Sequence, residues 1–395
     1  MPELQELQDL DKSYLSTVSP TDARFDTHKA ASQEMARLYG LETDDGLVGF
    51  VSGQRFVMFS SYSIKIEKCG SWLKFVDRHD GLKLVDARFC KSPNCPMCQF
   101  RRALKWRAKA LELLPKVQEQ FPNHRWLFLT LTIRNCELDD LKGTIKQLND
   151  GFNRLSKQSK FPFVGSVKVV EITRAWDIYD QFTGEYLGRH GSKWIFQYQA
   201  KHNTALRMEP TTEVHPHLHV IGLVKPSYFG GNYYLTQAEW REMWQKALRV
   251  NYLPIVDIRV VKCKKGQKIV PDPSEFEADN STDSGMIKAI CETLKYTVKE
   301  QDLIGTYCKD DQSNSQWLKK VTEQLYRSRK VEYRGVIKEI GKQLEAAYDD
   351  DDLISINDIS EETTGEEDLK EIVFSWYPTL ERYVMRQIKD DNMEE

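Results

Sequence analysis

The spacing of apolar residues changes several times along the chain, and each change marks an element. Trp126 to Ile133 is a nearly continuous apolar run and predicts a buried strand. Leu138, Leu141, Ile145, Leu148, Phe152 and Leu155 then recur at helical spacing, predicting a helix over 138–157. Val164 to Arg174 predicts another strand, on which Val167, Val169, Glu171 and Thr173 share a face. Residues 176–200, with turn material around Gly184 and Gly188 to Gly191, predict a hairpin or insertion. Glu213 to Val224 ends in β-branched alternation and predicts a strand. A helix with a Thr236 cap, a strand over 255–261 and a helix from Ile287 to Glu300 follow. This order predicts an α+β layer, an antiparallel sheet with helices packed on one side.

The flanks are less regular. A helix is expected over 26–41, with Asp26 or Thr27 as cap and Gly40 as stop. Residues 50–87 read as strand-like, 264–284 as a polar surface loop, and 374–388 as a short helix after an acidic linker at 349–352 and 361–368. Four segments result: an N-terminal helical segment at 1–50, a cysteine-rich region with a basic helix at 51–120, a central domain at 121–310 and a C-terminal region at 311–395.

Composition sharpens this picture in two ways. Hydrophobic residues make up 40% and charged residues 29%, the balance of a soluble globular chain. The longest apolar run, 126–133, is far too short to span a bilayer. The N-terminus lacks the basic start and apolar run of a signal peptide, so a cytoplasmic protein is expected, its eight cysteines thiols or metal ligands. The net charge of −3 hides a split: residues 341–395 hold 17 acidic and 5 basic side chains. The body that remains is basic, which suits a polyanionic ligand.

Cys90, Cys95 and Cys98 form a C-x4-C-x2-C turn, and Cys69 lies upstream, followed by Gly70. Three cysteines at this spacing supply most of a tetrahedral zinc site. Cys69 is the best fourth ligand and His79 the reserve; with four protein ligands the site is structural. The run from Gln99 to Ala110 is a basic helix with interleaved aromatics, suited either to phosphates or to a plain solvated face.

The histidine strand carries candidate chemistry. His217 and His219 share a face, about 7 Å apart along the strand, and two imidazoles so placed can grip one divalent cation. Glu171 is a carboxylate in an apolar strand, costly unless paired, exposed or metal-bound. On the expected helix from Ile287, Glu292 and Tyr296 are four apart and share a face, with Lys295 and Lys299 close by. A tyrosine can be a covalent nucleophile when nearby cations assist it. The plainer alternatives are two structural histidines and an ordinary helix surface.

Three pieces occur in one order: Phe128 to Thr132 (FLTLT), His215 to Val220 (HPHLHV) and Cys291 to Lys299 (CETLKYTVK). Together they resemble the three motifs of rolling-circle plasmid replication initiators of the HUH endonuclease superfamily. The Rep family of small Gram-positive plasmids, with cyanobacterial relatives, is most similar. Its upstream CG and C-x4-CPxC segment also have counterparts here, at Cys69-Gly70 and Cys90 to Cys98. The resemblance spans residues 24–300.

The resemblance implies that His217, His219 and Glu171 bind a catalytic divalent cation, magnesium or manganese. Glu213 is a rival third ligand and His215 a rival imidazole; ligand softness alone also suits zinc. Tyr296 resembles the nicking tyrosine, Glu292 the glutamate that activates water at termination, and Lys299 the motif-three lysine. The implied activity is metal-dependent nicking and closing at the plasmid's double-strand origin, single-stranded at the nick, through a 5′-phosphotyrosine. Host helicase and DNA polymerase are the implied partners. A single-tyrosine transposase or relaxase, a metal-dependent hydrolase without a covalent step, and a non-catalytic zinc-dependent DNA-binding regulator are the alternatives.

Overall fold

The computed structural model describes residues 13–42, 46, 48–52, 55–78, 81–261, 285–294, 297–328, 331–344, 353–354 and 370–386. It divides into two compact units, one of residues 1–41, 58–105 and 349–395, the other of 42–57 and 106–348. The division follows space and not chain order, since the start and end of the chain join most of the cysteine-rich region in one unit. His79, the polar loop at 264–284 and the acidic stretches 349–352 and 361–368 lie outside the described residues.

In the first unit, α1 (Arg24–Gly40) matches its expected helix, but the caps differ. Neither Asp26 nor Thr27 caps it; Asp26 instead accepts the Tyr383 amide at 2.8 Å. Helix α2 (Phe59–Glu67) stands where strands were expected. Phe59 and Ile66 lie seven apart, two helical turns, so both are buried on one side, and Phe59 stacks on Tyr39 at 5.9 Å. Here burial overrides the strand preference of β-branched residues. Strands β1 (Trp72–Arg78) and β2 (Gly81–Ala87) pair with each other, and β1 pairs with a hairpin of Glu371–Tyr377 and Arg382–Met385. That hairpin replaces the expected helix over 374–388. Ile372 and Phe374 alternate inward, and Phe374 meets Phe75 edge to face at 5.7 Å.

Helix α3 (Pro96–Gln120) contains the basic run, and its cations are mostly satisfied by the protein. Arg101 is buried and donates to the Leu353 and Ile354 carbonyls at 2.8 and 3.0 Å; Lys105 is buried too, and Arg102 bonds the Ser92 carbonyl at 3.1 Å. The reading as a phosphate track does not hold for these three side chains.

The second unit contains β3 (Arg125–Thr132), α4 (Leu141–Leu155), β4 (Phe163–Asp180), β5 (Tyr186–Gly191), α5 (Ser192–His202) and β6 (Leu206–Val224). Then come α6 (Gln237–Leu248), β7 (Val256–Val260), α7 (Gly285–Thr293), α8 (Glu300–Ile304), α9 (Asp311–Gln324), β8 (Val331–Gly335) and α10 (Val336–Leu344). The sheet order is β7-β3-β6-β4-β8, all antiparallel, with β5 pairing the far end of β4. The α+β antiparallel class is therefore the one expected. Thr236 caps α6 with a full capping box to Glu239, worth about 1 kcal/mol.

Helices cover both faces of this sheet, because both faces of its central strands are apolar. One face presents Trp126, Phe128, Val167, Val169, Ile221 and Leu223, which pack with Leu113 and Val117 of α3, Ile290 of α7 and Ile340 of α10. On the other face, Lys168 reaches Asn149 of α4 at 2.6 Å, and Trp244 of α6 donates to the Thr132 carbonyl at 2.8 Å. Strands β4 and β6 pair continuously enough to extend past the sheet, from Phe163 opposite Val224 to Asp180 opposite Leu206. Helix α5 follows the resulting arm, an element that the sequence pattern did not reveal. Among the described residues no helix is long and apolar enough to cross a membrane.

The helix expected from Ile287 to Glu300 ends at Thr293. The Thr297 carbonyl accepts the Ile172 amide at 2.7 Å, and Val298 bridges Ile172 in parallel. Backbone groups committed to β4 cannot also continue a helix.

Candidate functional site

Three adjacent strands build one polar cluster at the end of an apolar sheet face. On β6, His217 and His219 follow the core residues Leu223 and Ile221 on the same side. His217 lies opposite Thr132 of β3 and Glu171 of β4; His219 lies opposite Thr130 and Val169. The period of two thus carries Phe128 to Thr130, Val169 to Glu171 and Ile221 to His219 from core into cluster.

The geometry is tight. His219 Nε2 lies 2.7 Å from Glu171 Oε2 and 3.2 Å from His217 Nε2, and His217 Nε2 lies 3.4 Å from the same carboxylate oxygen. All three residues are buried. Two imidazole nitrogens and one carboxylate oxygen, all within 4.8 Å of one another, form a donor set for one divalent cation. The distal nitrogens are held as well: His219 Nδ1 is 3.1 Å from Thr130 Oγ1, and His217 Nδ1 is 3.3 Å from the His215 carbonyl. With Nδ1–H donating to these oxygens, each Nε2 presents its lone pair to the cluster.

The two rivals are engaged elsewhere. Glu213 pairs with Arg189 at 2.8 Å, and His215 Nδ1 lies 2.8 Å from Asn135 Oδ1. Burial, then the neighbouring His217 ring, pulls the His215 imidazole down to about 4.

The cluster lines a cleft of about 700 Å³ together with Glu292 and Lys299. Glu292 Oε1 is 3.9 Å from His219 Nε2, and its side chain is 45% exposed, so it meets both the cluster and solvent. Tyr296 lies outside the described residues. Lys295 lies outside them too; the nearest described residues, Leu294 and Thr297, are buried.

A buried network holds the same strand in place. Arg174 stacks over Trp176 and Trp317 at 4.2 and 4.8 Å and donates to Asn314 at 3.0 Å, while its amide donates to Asp302 at 3.2 Å. Burial pushes the Asp302 carboxyl up to about 6 and pulls the Arg174 guanidinium down to about 10.

The first unit holds a second cluster. The sulfurs of Cys69, Cys90, Cys95 and Cys98 all lie within 4.8 Å of one another. Cys98 Sγ is 3.5 Å from Cys69 Sγ and 3.7 Å from Cys90 Sγ. Metal–sulfur bonds of about 2.3 Å in a tetrahedron require sulfur pairs about 3.8 Å apart, so the set fits. Burial pushes the Cys95 thiol well above its ordinary range. Lys29 is buried nearby and donates to the Glu67 and Cys69 carbonyls at 2.7 Å each. Gly70 has φ +63°, and a Cβ there would come within 2.6 Å of Met97, which accounts for a glycine after Cys69. Tyr383 closes this region by donating to the Gly70 carbonyl.

Sequence reasoning overlooked Thr130, although alternation in the FLTLT stretch puts it on the face of Phe128. It also overlooked Trp194 and Gln197 of α5 and Asp257 and Arg259 of β7, which line the same cleft. No local signal marks these, since they reach the cleft by tertiary placement.

A family described as replication proteins matches residues 81–384, a span that takes in every site residue named above except Lys29, Glu67, Cys69 and Gly70. A rep protein of Streptococcus pneumoniae is 32% identical over 328 residues, covering 82% of this chain and 83% of that protein. Rep proteins of Bacillus amyloliquefaciens and Lactiplantibacillus plantarum are 31% and 30% identical over 328 and 316 residues, covering 82% and 79% of this chain and 84% of each. No solved structure gives a significant match.

Proposed function

Because the chain belongs to this replication protein family of rolling-circle initiators, we propose that it starts plasmid replication by nicking one strand of its origin. The observation that carries the reading is the joining of Glu171, His217 and His219 in one cleft with Glu292 and Lys299.

A magnesium or manganese ion held by Glu171 Oε2 and the two Nε2 atoms would supply Lewis acidity to the scissile phosphate. The remaining work belongs to side chains. Thr130 and the His215 carbonyl keep both rings in the tautomer that ligation needs. Lys299 offsets phosphate charge at the cleft wall. The Tyr296 phenol attacks phosphorus, the P–O3′ bond breaks, and the departing oxygen takes a proton to become the 3′-OH primer. The 5′ phosphate remains on the tyrosine. After one round Glu292, half in solvent, takes a proton from water for the terminating cleavage. Unwinding and synthesis fall to a host helicase and polymerase in the cytoplasm.

The test is a labelled single-stranded origin oligonucleotide incubated with the protein and manganese, run on a denaturing gel. A slow, protein-linked band and a free 3′-OH fragment are expected. Cutting without a linked band would point to hydrolysis, and no cutting to a DNA-binding regulator. Glu292→Ala should still form the linked band at a comparable rate but accumulate products of failed termination in a plasmid replication assay. Loss of the linked band in that variant would remove Glu292 from termination and make it part of nicking.

The four-cysteine cluster is proposed to hold a structural zinc, since four cysteine sulfurs supply all four positions of a tetrahedral site. Native mass spectrometry should find one zinc per chain. Cys95→Ser should lose it and lower the melting temperature by about 10 °C or more, because binding energy at such sites is folding energy. A full-length variant that melts unchanged would refute this.

A further inference from the structure

A buried lysine stands beside the four-cysteine cluster and answers to no carboxylate. Lys29, on α1, is 1% exposed. Its ammonium donates to two neutral acceptors, the Glu67 and Cys69 carbonyls, at 2.7 Å each, and among the described residues no carboxylate lies within ion-pair distance of it. Of the acidic groups in its electrostatic reach, Cys69, Cys95 and Cys90 act most strongly and the exposed Glu67 carboxylate least. An ammonium withdrawn from water costs stability unless a negative charge answers it.

The same helix face reaches the cluster a second time. Ser32, three residues on and fully buried, places its hydroxyl 3.7 Å from Cys95 Sγ. That hydroxyl accepts the Met97 amide at 3.2 Å and donates to the His28 carbonyl at 2.8 Å. Within the cysteine turn, the Cys90 amide donates to Cys69 Sγ at 3.3 Å and the Ser92 amide to Cys90 Sγ at 3.4 Å. Hydrogen bonds aimed at sulfur favour the thiolate over the thiol.

Four thiols are neutral and give the ammonium nothing to pair with. Zinc is held by thiolates, so its binding expels four protons and leaves four negative charges around two positive ones. Such a centre carries two net negative charges inside the protein, and an adjacent ammonium offsets one of them. We infer that Lys29 is the built-in counter-charge of the four-cysteine metal centre, which makes α1 part of that site and its seat dependent on the metal. The inference rests on the structural-zinc reading and deepens it. Lys29 is a positioning residue that acts through charge, and by reciprocity the metal secures the lysine as much as the lysine secures the metal.

Two neutral substitutions separate charge from packing and hydrogen bonding. Lys29→Met keeps the length of the side chain, and Lys29→Gln keeps a donor for a carbonyl. Zinc affinity of the full-length protein is read by competition with a chromophoric chelator, and melting temperature is read with and without zinc. Both variants should hold zinc about tenfold or more weakly than the unaltered protein, and zinc should raise their melting temperature by less. A lysine that only tied two carbonyls together would lower the melting temperature of both forms alike and leave zinc affinity unchanged. Should neither variant fold, the unaltered protein suffices. Acetic anhydride should spare Lys29 while zinc is bound and modify it once the chelator has stripped the metal, read by mass spectrometry of peptides. Lys168, buried in the second unit, should stay unmodified throughout. Unchanged zinc affinity in both variants, or a Lys29 that stays unmodified in the stripped protein, would each overturn the counter-charge. A full-length protein in which native mass spectrometry finds no zinc ends the structural-zinc reading beneath it; one that keeps zinc equally well without Lys29 ends only the counter-charge.

Discussion

Tyr296→Phe abolishes the protein-linked DNA band and lowers nicking to below about 10⁻⁴ of the unaltered rate; this is the largest effect expected of any single substitution here. The change removes one oxygen and keeps the ring, so packing is conserved. The lost group is the atom proposed to bond phosphorus in the nicking step. The measurement is the denaturing gel, with labelled origin strand and manganese, alongside a thermal melt to verify folding. Binding of the uncut strand should change by less than about threefold, since a nucleophile contributes to the reacting state more than to ground-state affinity. A linked band that persists in the phenylalanine variant would assign the attack to another residue.

Loss of the cation site comes second. His219 has the most to lose: its Nε2 contacts both Glu171 and His217, and its Nδ1 is held by Thr130. His219→Ala should reduce nicking by about 10³-fold or more, and Glu171→Ala by a similar factor, with oligonucleotide binding largely kept. Thr130→Val tests the supporting contact. It keeps the shape of the side chain, removes the partner of Nδ1, and should raise the manganese concentration needed for half-maximal nicking by about tenfold to a hundredfold. The graded response matters most: a ligand's loss is not recovered by excess metal, whereas the loss of an orienting contact is. Nicking by His219→Ala at the unaltered rate would show that the cluster is not the catalytic centre.

What the sequence made legible were the features set by short-range spacing. The β3 run, the amphipathic α4 and the Thr236 cap of α6 follow from period and local hydrogen bonding. The pairing of His217 with His219 follows from alternation alone, and Glu171 drew notice as a carboxylate in an apolar strand. Cys90, Cys95 and Cys98 are close in sequence and therefore close in space. What escaped depends on partners far along the chain. Helix α7 stops at Thr293 because residues 297–298 bond to Ile172. The hairpin at 371–385 forms on the edge of β1, some 300 residues away, and its apolar residues suit a helix equally well until that edge is known. Trp194 enters the cleft because α5 rides on an arm whose direction no local pattern encodes.

The order of synthesis bears on the first unit. Tyr383 bonds to Gly70 across 313 positions of chain, and the last hairpin completes the sheet of β1 and β2. At roughly 5–20 residues per second, a ribosome needs about 15 to 60 seconds to travel from one to the other. Throughout that time the second unit has all its strands or is acquiring them, while the first waits with an open edge and a half-covered cysteine turn. A polypeptide cut short between residues 349 and 371 would carry the whole nicking cleft and still leave that unit unclosed.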